Sequence, residues 1–443
     1  MFIQLTLTHA SIAELAKMLA LQDPSLQTNK NYTKCLHSRP LTGCYYWIIM
    51  KRTVICVLAA VLALVSCTQE PLTKSGLSAK KFQSKSNDKE TALYVLTNEK
   101  GMEVCVTNVG ARIVSIMAPD KTGEFRDVVL GFDNVKDYLT KDSNFGATIG
   151  RYGNRIANGQ FTLDGKTYKL PQNDGQNCLH GGPNGWHTVI FDVDEADESH
   201  IRLSYLSPDG EAGFPGNVKY AVTYTLNKFN ELKIEYEAET DAPTVINPTN
   251  HSYFNLDGDP ANSVCESYDL IIDADYFTPT DENLIPTGEI VPVDDTPMDF
   301  RMMRDISTSI DDNSFTPIAY GHGYDHNWVL NTNGDINEAA ATALSLNSGI
   351  VLKVYTDQPG IQVYCGNFLD GTVKGKHGIV YPHRSAICLE TQHFPDSPNH
   401  PEFPSTVLRP GEKFESTTIY AFSIIKEEPV FKSIISKQVL CVI

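Results

Sequence analysis

The chain has 443 residues, of which 41% are hydrophobic and 20% charged, and its formal net charge is −18. This composition supports a sizeable globular core. The acidic balance excludes an ordinary nucleic-acid-binding protein, which needs a basic face. The 10 cysteines form no CxxC pair, which argues against a zinc knuckle or a redox motif.

The first predicted element is an export signal. Lys51-Arg52 precedes an apolar run over 53–65, which is shorter than the roughly 20 residues that span a bilayer. A basic start, an apolar stretch and a small residue are typical of a secretory signal. The run ends in Leu-Val-Ser-Cys67, which resembles a bacterial lipobox, in which the cysteine is diacylated and becomes the first residue. A buried apolar strand or helix is the alternative.

Processing at Cys67 predicts a protein of the bacterial cell envelope that faces the periplasm and contacts the membrane through its lipid anchor only. Met50 stands directly before the basic pair, so residues 50–67 are interpreted as a lipoprotein signal peptide and residues 1–49 as a misassigned upstream extension. Residues 68–90 are polar and predict a flexible tether. Residues 91–426 predict one domain, and the tail 427–443 has no functional interpretation.

The pattern of the domain is β throughout. Apolar and charged residues alternate from Leu232 to Ala238, as a half-buried strand requires. Asp164-Gly165 between two short strands predicts a tight hairpin, because the primed turn needs positive φ at both positions. Many such strands, with no long helical period, predict an all-β fold, a large antiparallel β-sandwich.

Two polar clusters lie early in this domain. The segment GRYGNRI over 150–156 carries two arginines and an asparagine between glycines, and an arginine fork suits hydroxyl or carboxylate groups. A structural salt bridge is an equal alternative for this cluster. The segment LHGG over 179–182 places a histidine where the backbone can approach a ligand, although a lone loop histidine is more often a surface residue.

Two later clusters carry the groups that suit proton transfer. The segment NPTNHSYFNL over 247–256 concentrates polar side chains around His251, and histidine titrates near neutrality. Glu390 opens ETQHFPDSPN at the end of an apolar strand, where partial burial raises a carboxyl pKa towards that of a general base. In GYDHNWV over 323–329, Asp325 can accept hydroxyl hydrogen bonds. The alternative is that Asp325, His322 and His326 bind a metal, but their spacing matches no strong metal signature.

Together and in this order, these clusters and the DQPG segment resemble the aldose 1-epimerase (galactose mutarotase) family, over roughly 91–426. The resemblance implies a large antiparallel β-sandwich of the mutarotase type with an open sugar cleft. It assigns the catalytic acid to His251 and the catalytic base to Glu390. It also implies a small-molecule aldose as substrate, no cofactor and no metal. The substrate-positioning roles that it implies fall on Asn154, Arg155, His180, Asp325 and Gln358.

The chemistry expected from this resemblance is interconversion of the α and β anomers of an aldohexose such as galactose or glucose. A glycoside hydrolase on a related sandwich stays open, because Asp325 and Glu390 could imitate its two carboxylates. A non-catalytic sugar-binding lipoprotein would need neither the acid nor the base. A sugar-phosphate epimerase would need more cationic residues than Arg151 and Arg155 near the motifs.

Overall fold

A computed structural model describes residues 71–86, 88–141 and 143–425. The predicted signal peptide with Cys67, the upstream extension and the tail 427–443 lie outside these residues. Within them, regular structure consists of two short α-helices, eight single-turn 3-10 helices and 29 strands.

The α-helices are α1 (Val135–Thr140) and α2 (Thr316–Gly321). The first strands are β1 (Ser84–Ser86), β2 (Lys89–Thr91), β3 (Leu93–Thr97), β4 (Glu103–Thr107), β5 (Arg112–Pro119), β6 (Phe125–Asp127), β7 (Ala147–Ile149), β8 (Arg155–Ile156), β9 (Gln160–Leu163) and β10 (Lys166–Lys169). They are followed by β11 (Cys178–Leu179), β12 (Asp192–Ala196), β13 (His200–Ser207), β14 (Val218–Leu226), β15 (Glu231–Thr240), β16 (Thr244–Val245), β17 (Thr249–His251), β18 (Tyr253–Phe254), β19 (Tyr268–Ile272) and β20 (Tyr276–Thr278). The last are β21 (Val291–Pro292), β22 (Arg304–Asp305), β23 (Asp325–Val329), β24 (Ala339–Ser345), β25 (Ile350–Thr356), β26 (Gly360–Tyr364), β27 (Ile387–Gln392), β28 (Val407–Leu408) and β29 (Lys413–Ile424).

Three large antiparallel sheets form the sandwich. The nine-stranded sheet has the order β12-β13-β14-β15-β29-β25-β24-β19-β22. The six-stranded sheet has the order β18-β27-β26-β23-β20-β21, and a third sheet runs β3-β4-β5-β6. One cluster of buried side chains takes residues from all three sheets, so they share a core. The prediction of an all-β antiparallel sandwich is confirmed.

Local sequence explains individual strands. In β15 the alternation of the sequence becomes an alternation of burial, and Leu232, Ile234 and Tyr236 are buried in the shared core. Asp164 and Gly165 both have positive φ, 50° and 75°, and they join β9 to β10 as the predicted tight hairpin.

The predicted flexible tether does not hold for the described part of residues 68–90. Leu77 and Phe82 are buried in a second core cluster, together with Tyr138 of α1. The main-chain NH of Lys74 donates to Glu103 Oε1 at 2.7 Å. The polar composition of residues 68–90 predicted flexibility. It did not reveal this packing, because two buried apolar side chains are enough to fix the position of a short segment.

Among the described residues, no helix is long and apolar enough to cross a bilayer. The cysteines here are buried free thiols, as expected from their scattered spacing: Cys105, Cys178, Cys265, Cys365 and Cys388.

Candidate active site

One wall of the candidate site is formed by neighbouring strands of the six-stranded sheet. Glu390 lies on β27, and the register places Gln362 of β26 directly opposite. Asp325 begins β23 and lies opposite Tyr364 of β26. Because side chains alternate between the two faces of a strand, all four project from the same face. Gln362 Nε2 donates to Asp325 Oδ1 at 2.7 Å, which fixes both side chains. We call this face the strand wall.

His251 completes the strand wall from an adjacent element. It ends β17, where it pairs with Ala147 of β7, and its carbonyl accepts a hydrogen bond from Gly146. Its Nε2 lies 3.5 Å from Glu390 Oε1. The imidazole stacks on the ring of Tyr253, with centroids 4.8 Å apart. Since His251 is 4% and Glu390 2% exposed, both groups are largely withdrawn from solvent.

Two interlocked loops form the opposite wall, which we call the loop wall. It carries Asn154, Arg155 and His180, and β8 and β11 pair so that Arg155 is opposite Leu179. Asn154 NH donates to His180 Nδ1, and His180 NH donates to Asn154 O, each at 3.1 Å. Both residues have positive φ, 63° and 54°. Because Nδ1 of neutral His180 accepts, its proton is on Nε2, where it can be donated to a ligand.

Arg155 connects the two walls. Its Nε donates to Asp174 Oδ2 at 2.8 Å, and its Nη1 lies 3.8 Å from Asp325 Oδ2. The walls enclose a cavity of about 190 Å³. Its lining residues are Asn144, Asn154, Arg155, Leu179, His180, His251, Tyr253, Asp325, Tyr364, Phe368 and Glu390.

The same geometry offers a set of cation ligands. One atom each from His180, His251 and Glu390 lies within 4.8 Å of the others. The metal site that the sequence offered as an alternative consists of other residues, Asp325, His322 and His326, and the structure separates two of these side chains. Asp325 and His326 are consecutive on β23, so their side chains point to opposite faces. His326 Nδ1 instead accepts a hydrogen bond from the main-chain NH of Asp325, at 3.1 Å.

Known proteins share both the sequence and the fold of this chain. The family model described as aldose 1-epimerase matches residues 92–421. Galactose mutarotase from Sus scrofa is 45% identical over 73% of this chain and 92% of its own length. Aldose 1-epimerase from Escherichia coli is 38% identical over 74% of this chain and 94% of its own. The chain belongs to the aldose 1-epimerase family. The crystal structure of an aldose epimerase homologue from C. elegans superposes with a TM-score of 0.71 at 33% identity, covering 76% of this chain and 100% of that one.

Burial controls the protonation of this epimerase site. It raises the pKa of Glu390 well above its usual 4.5; the charge of Asp325 raises it further, and Arg155 opposes the rise. Burial also lowers the pKa of His251 to about 3, and it holds the pKa of His180 well below 6.5. Burial therefore favours the carboxylic acid form of Glu390 and the neutral imidazole forms of His251 and His180.

The epimerase pocket brings together most of the residues predicted from the sequence. These are Asn154, Arg155, His180, His251, Asp325 and Glu390. Gln358 is a correction, because it is not among the lining residues. Its Nε2 donates to Ser416 Oγ at 2.8 Å, and its Oε1 is paired with His393 Nδ1 at 2.8 Å.

The structure adds Gln362, which sequence reasoning missed. The strand 361–364 was recognised, but its register against Glu390 was not. Other missed residues are the lining side chains Asn144, Tyr253, Tyr364 and Phe368. Tyr253 carried a usable signal, since it follows His251 by two residues within one polar cluster.

Proposed function

We propose that this epimerase interconverts the α and β anomers of free aldohexoses, with Glu390 and His251 as the proton-transfer pair. The observation that carries the assignment is the 3.5 Å separation of His251 Nε2 and Glu390 Oε1 in the pocket that both residues line. Ring opening must move one proton off O1 and place one on O5. The two oxygens share C1 of the sugar, so two acid–base groups a few ångströms apart can serve both.

The proton balance of the reaction closes without another reactant. The base, Glu390 as carboxylate, takes the proton of the C1 hydroxyl. The C1–O5 bond breaks, C1 becomes an aldehyde, and His251 as imidazolium gives its proton to O5. Rotation about C1–C2 presents the other face of the aldehyde, and closure returns both protons. Positioned acid–base groups of this kind contribute about 10²–10⁴-fold each.

The catalytic pair holds one proton, and the sugar decides where that proton is. In the free pocket, burial favours the uncharged tautomer, carboxylic acid with neutral imidazole. The active tautomer is carboxylate with imidazolium, which has the same total protonation. Hydroxyl groups that donate to Glu390, and the nearby Arg155 charge, favour the carboxylate. Substrate binding therefore moves the proton across the 3.5 Å gap before chemistry.

Substrate positioning is assigned to the remaining pocket residues. Asp325, held by Gln362, accepts from sugar hydroxyls. Arg155 and His180 donate, and the main-chain bonds between Asn154 and His180 keep the loop wall in place. The aromatic ring of Phe368, 56% exposed at the pocket, offers a face for the apolar side of a pyranose.

Polarimetry of freshly dissolved sugar tests the activity and its specificity. We expect the protein to accelerate the approach to anomeric equilibrium of α-galactose and α-glucose well above the spontaneous rate. The His251→Asn variant is the matched control. A wild-type rate equal to the spontaneous rate with both sugars would refute the proposed function.

We also propose that the protein is exported and acylated at Cys67, as its lipobox indicates. It would then be a lipid-anchored protein of the cell envelope with its pocket in the periplasm. Mass spectrometry of the natural N-terminus should show an acylated Cys67 and none of residues 1–66. An unmodified cytoplasmic product that begins at Met1 would overturn this proposal.

A further inference from the structure

Five turns gather at one end of the sandwich and form what we call the tip surface. They are the turns over 98–102, 120–124, 197–200, 227–230 and 346–349. Direct bonds join them: Asn98 Nδ2 donates to Asn227 O at 2.8 Å, and Thr97 NH donates to Glu198 O at 2.7 Å. Lys121 Nζ donates to Leu346 O at 3.0 Å. The end of β29 links these two groups of turns, because Phe422 NH donates to Asn230 O at 2.9 Å and Ile425 NH donates to Gly349 O at 2.8 Å.

Large apolar side chains project from the tip surface. Phe229 and Leu346 are each 60% exposed at the points of their turns. Ile424 and Ile425, 43% and 37% exposed, follow at the end of β29, and Ile425 NH donates to Gly349 O. Exposed apolar groups that cluster in this way mark an interaction surface, whereas scattered ones do not.

Lysines surround these apolar points. Lys228 Nζ lies 5.3 Å and Lys100 Nζ 6.0 Å from the centroid of the Phe229 ring. The same turns carry five acidic residues against the lysines Lys100, Lys121 and Lys228, so the tip surface is weakly acidic while the chain carries −18. The acidic residues are Glu99, Asp120, Glu124, Asp197 and Glu198. Exposed apolar side chains that are surrounded by long amphipathic side chains suit the interface between water and lipid.

The segment that follows the proposed acylation site contacts the tip surface. Lys74 Nζ donates to Gly101 O in the turn over 98–102. Cys67 precedes Lys74 by seven residues in the sequence. The proposed acyl group is therefore attached close in sequence to a segment that is held at the tip surface.

From this placement we propose that the tip surface is the membrane-facing side of the protein and rests on the phospholipid interface. The lysines contact headgroup phosphates, and Phe229 and Leu346 enter the headgroup region. The loop wall is fixed at the other end of the same strands: Arg151, in the loop that carries Asn154 and Arg155, donates to Ser207 Oγ and Pro215 O. This docking directs that end towards the aqueous compartment. The orientation rests on the proposed acylation of Cys67, but the tip surface itself does not.

Tryptophan fluorescence in vesicles tests the docking. Phe229→Trp adds a reporter at the tip, and Leu206→Trp is the matched control, since Leu206 is 56% exposed near the far end of β13. Trp186 and Trp328 are buried and are subtracted using the parent chain. In acylated protein on vesicles with brominated phospholipid, we expect strong quenching at position 229 and little at 206. Equal quenching at both positions, or none at 229, would overturn the proposal.

A second arm separates failure of docking from failure of acylation. The mature chain without its acyl group, residues 68–443, should float weakly with vesicles containing phosphatidylglycerol, and Lys100→Glu with Lys228→Glu should reduce that binding several-fold. If the unacylated chain did not bind the vesicles, the tip surface would not be a lipid contact. If removing residues 426–443 were required for binding, the tail would be the occupant and the proposal would be wrong. Acylation itself is read separately, by mass spectrometry of the N-terminus.

Discussion

The strand wall and the loop wall of the pocket are built on different principles. The strand wall sets Glu390 and Gln362 by register within the six-stranded sheet, with Asp325 on the next strand. The loop wall sets Asn154 and His180 by positive φ and by reciprocal main-chain bonds. The proposed chemistry belongs to the strand wall and the proposed recognition to the loop wall. The difference indicates that sheet register sets the spacing of Glu390 from the side chains that orient it, whereas His251 reaches Glu390 from β17, which pairs with β7.

Removing the catalytic pair of the strand wall should have the largest effect. Glu390→Gln and His251→Asn should each lower kcat by about 10²–10⁴-fold, or roughly 3–5 kcal/mol of transition-state stabilisation. Because the pair acts as a unit, the double variant should lose much less than the product of the two losses. Polarimetric kcat values measure this. Wild-type turnover in Glu390→Gln would show that the carboxylate is structural.

Two arginines of one motif give a matched test of the loop wall. Arg155→Lys should raise KM about 10-fold with a small change in kcat, because a point charge does not reproduce the fork. Arg151→Lys should leave KM unchanged and lower the free energy of unfolding by ~1–3 kcal/mol. Arg151 is 2% exposed, and its guanidinium donates to Pro215 O, Gly216 O and Ser207 Oγ. If Arg151→Lys raised KM and Arg155→Lys lowered only the free energy of unfolding, the assignment of Arg155 to the sugar and of Arg151 to the fold would be wrong.

Two glutamines offer a smaller test of the strand wall. Gln362→Ala frees Asp325 from its hydrogen bond, and we expect KM to rise several-fold. Because both side chains are buried, the free energy of unfolding should also fall by ~1–3 kcal/mol. Gln358→Ala removes contacts with Ser416 and His393 outside the pocket. It should affect thermal stability and leave KM as in the wild type. Measuring both quantities in both variants would expose an error in this assignment of Gln358 and Gln362.

Metal removal should have no effect. The proposed chemistry uses only side chains, although His180, His251 and Glu390 could hold a cation. Exhaustive treatment with EDTA should leave the polarimetric rate unchanged. Added zinc should inhibit, because it would occupy the catalytic pair. Loss of activity with EDTA and its recovery with zinc or calcium would replace the proton-transfer assignment by a metal mechanism.

The sequence predicted the parts of the molecule that depend on local pattern. The alternation of apolar and charged residues identified β15, and Asp164-Gly165 identified the hairpin between β9 and β10. Contacts between distant segments were not predictable in this way. The register that sets Gln362 opposite Glu390 joins two separate strands, and the packing of Leu77 and Phe82 depends on the surface that they meet. The order of the motifs predicted most of the pocket residues. It wrongly predicted Gln358 as one of them, because the fold determines which residues Gln358 contacts.

The protonation of Glu390 tests the central claim, that Glu390 and His251 share one proton, most directly. Infrared difference spectra between the wild type and Glu390→Gln should show a protonated carboxyl at neutral pH in the free enzyme. Its proton should leave only well above the pH at which a glutamate usually ionises, because burial raises this pKa, and the polarimetric rate should fall with it. The rate should also fall in acid towards about pH 3, where His251 gains a second proton for the pair. A free enzyme in which, at neutral pH, the Glu390 carboxylate is ionised while the His251 imidazole is neutral would contradict the shared proton.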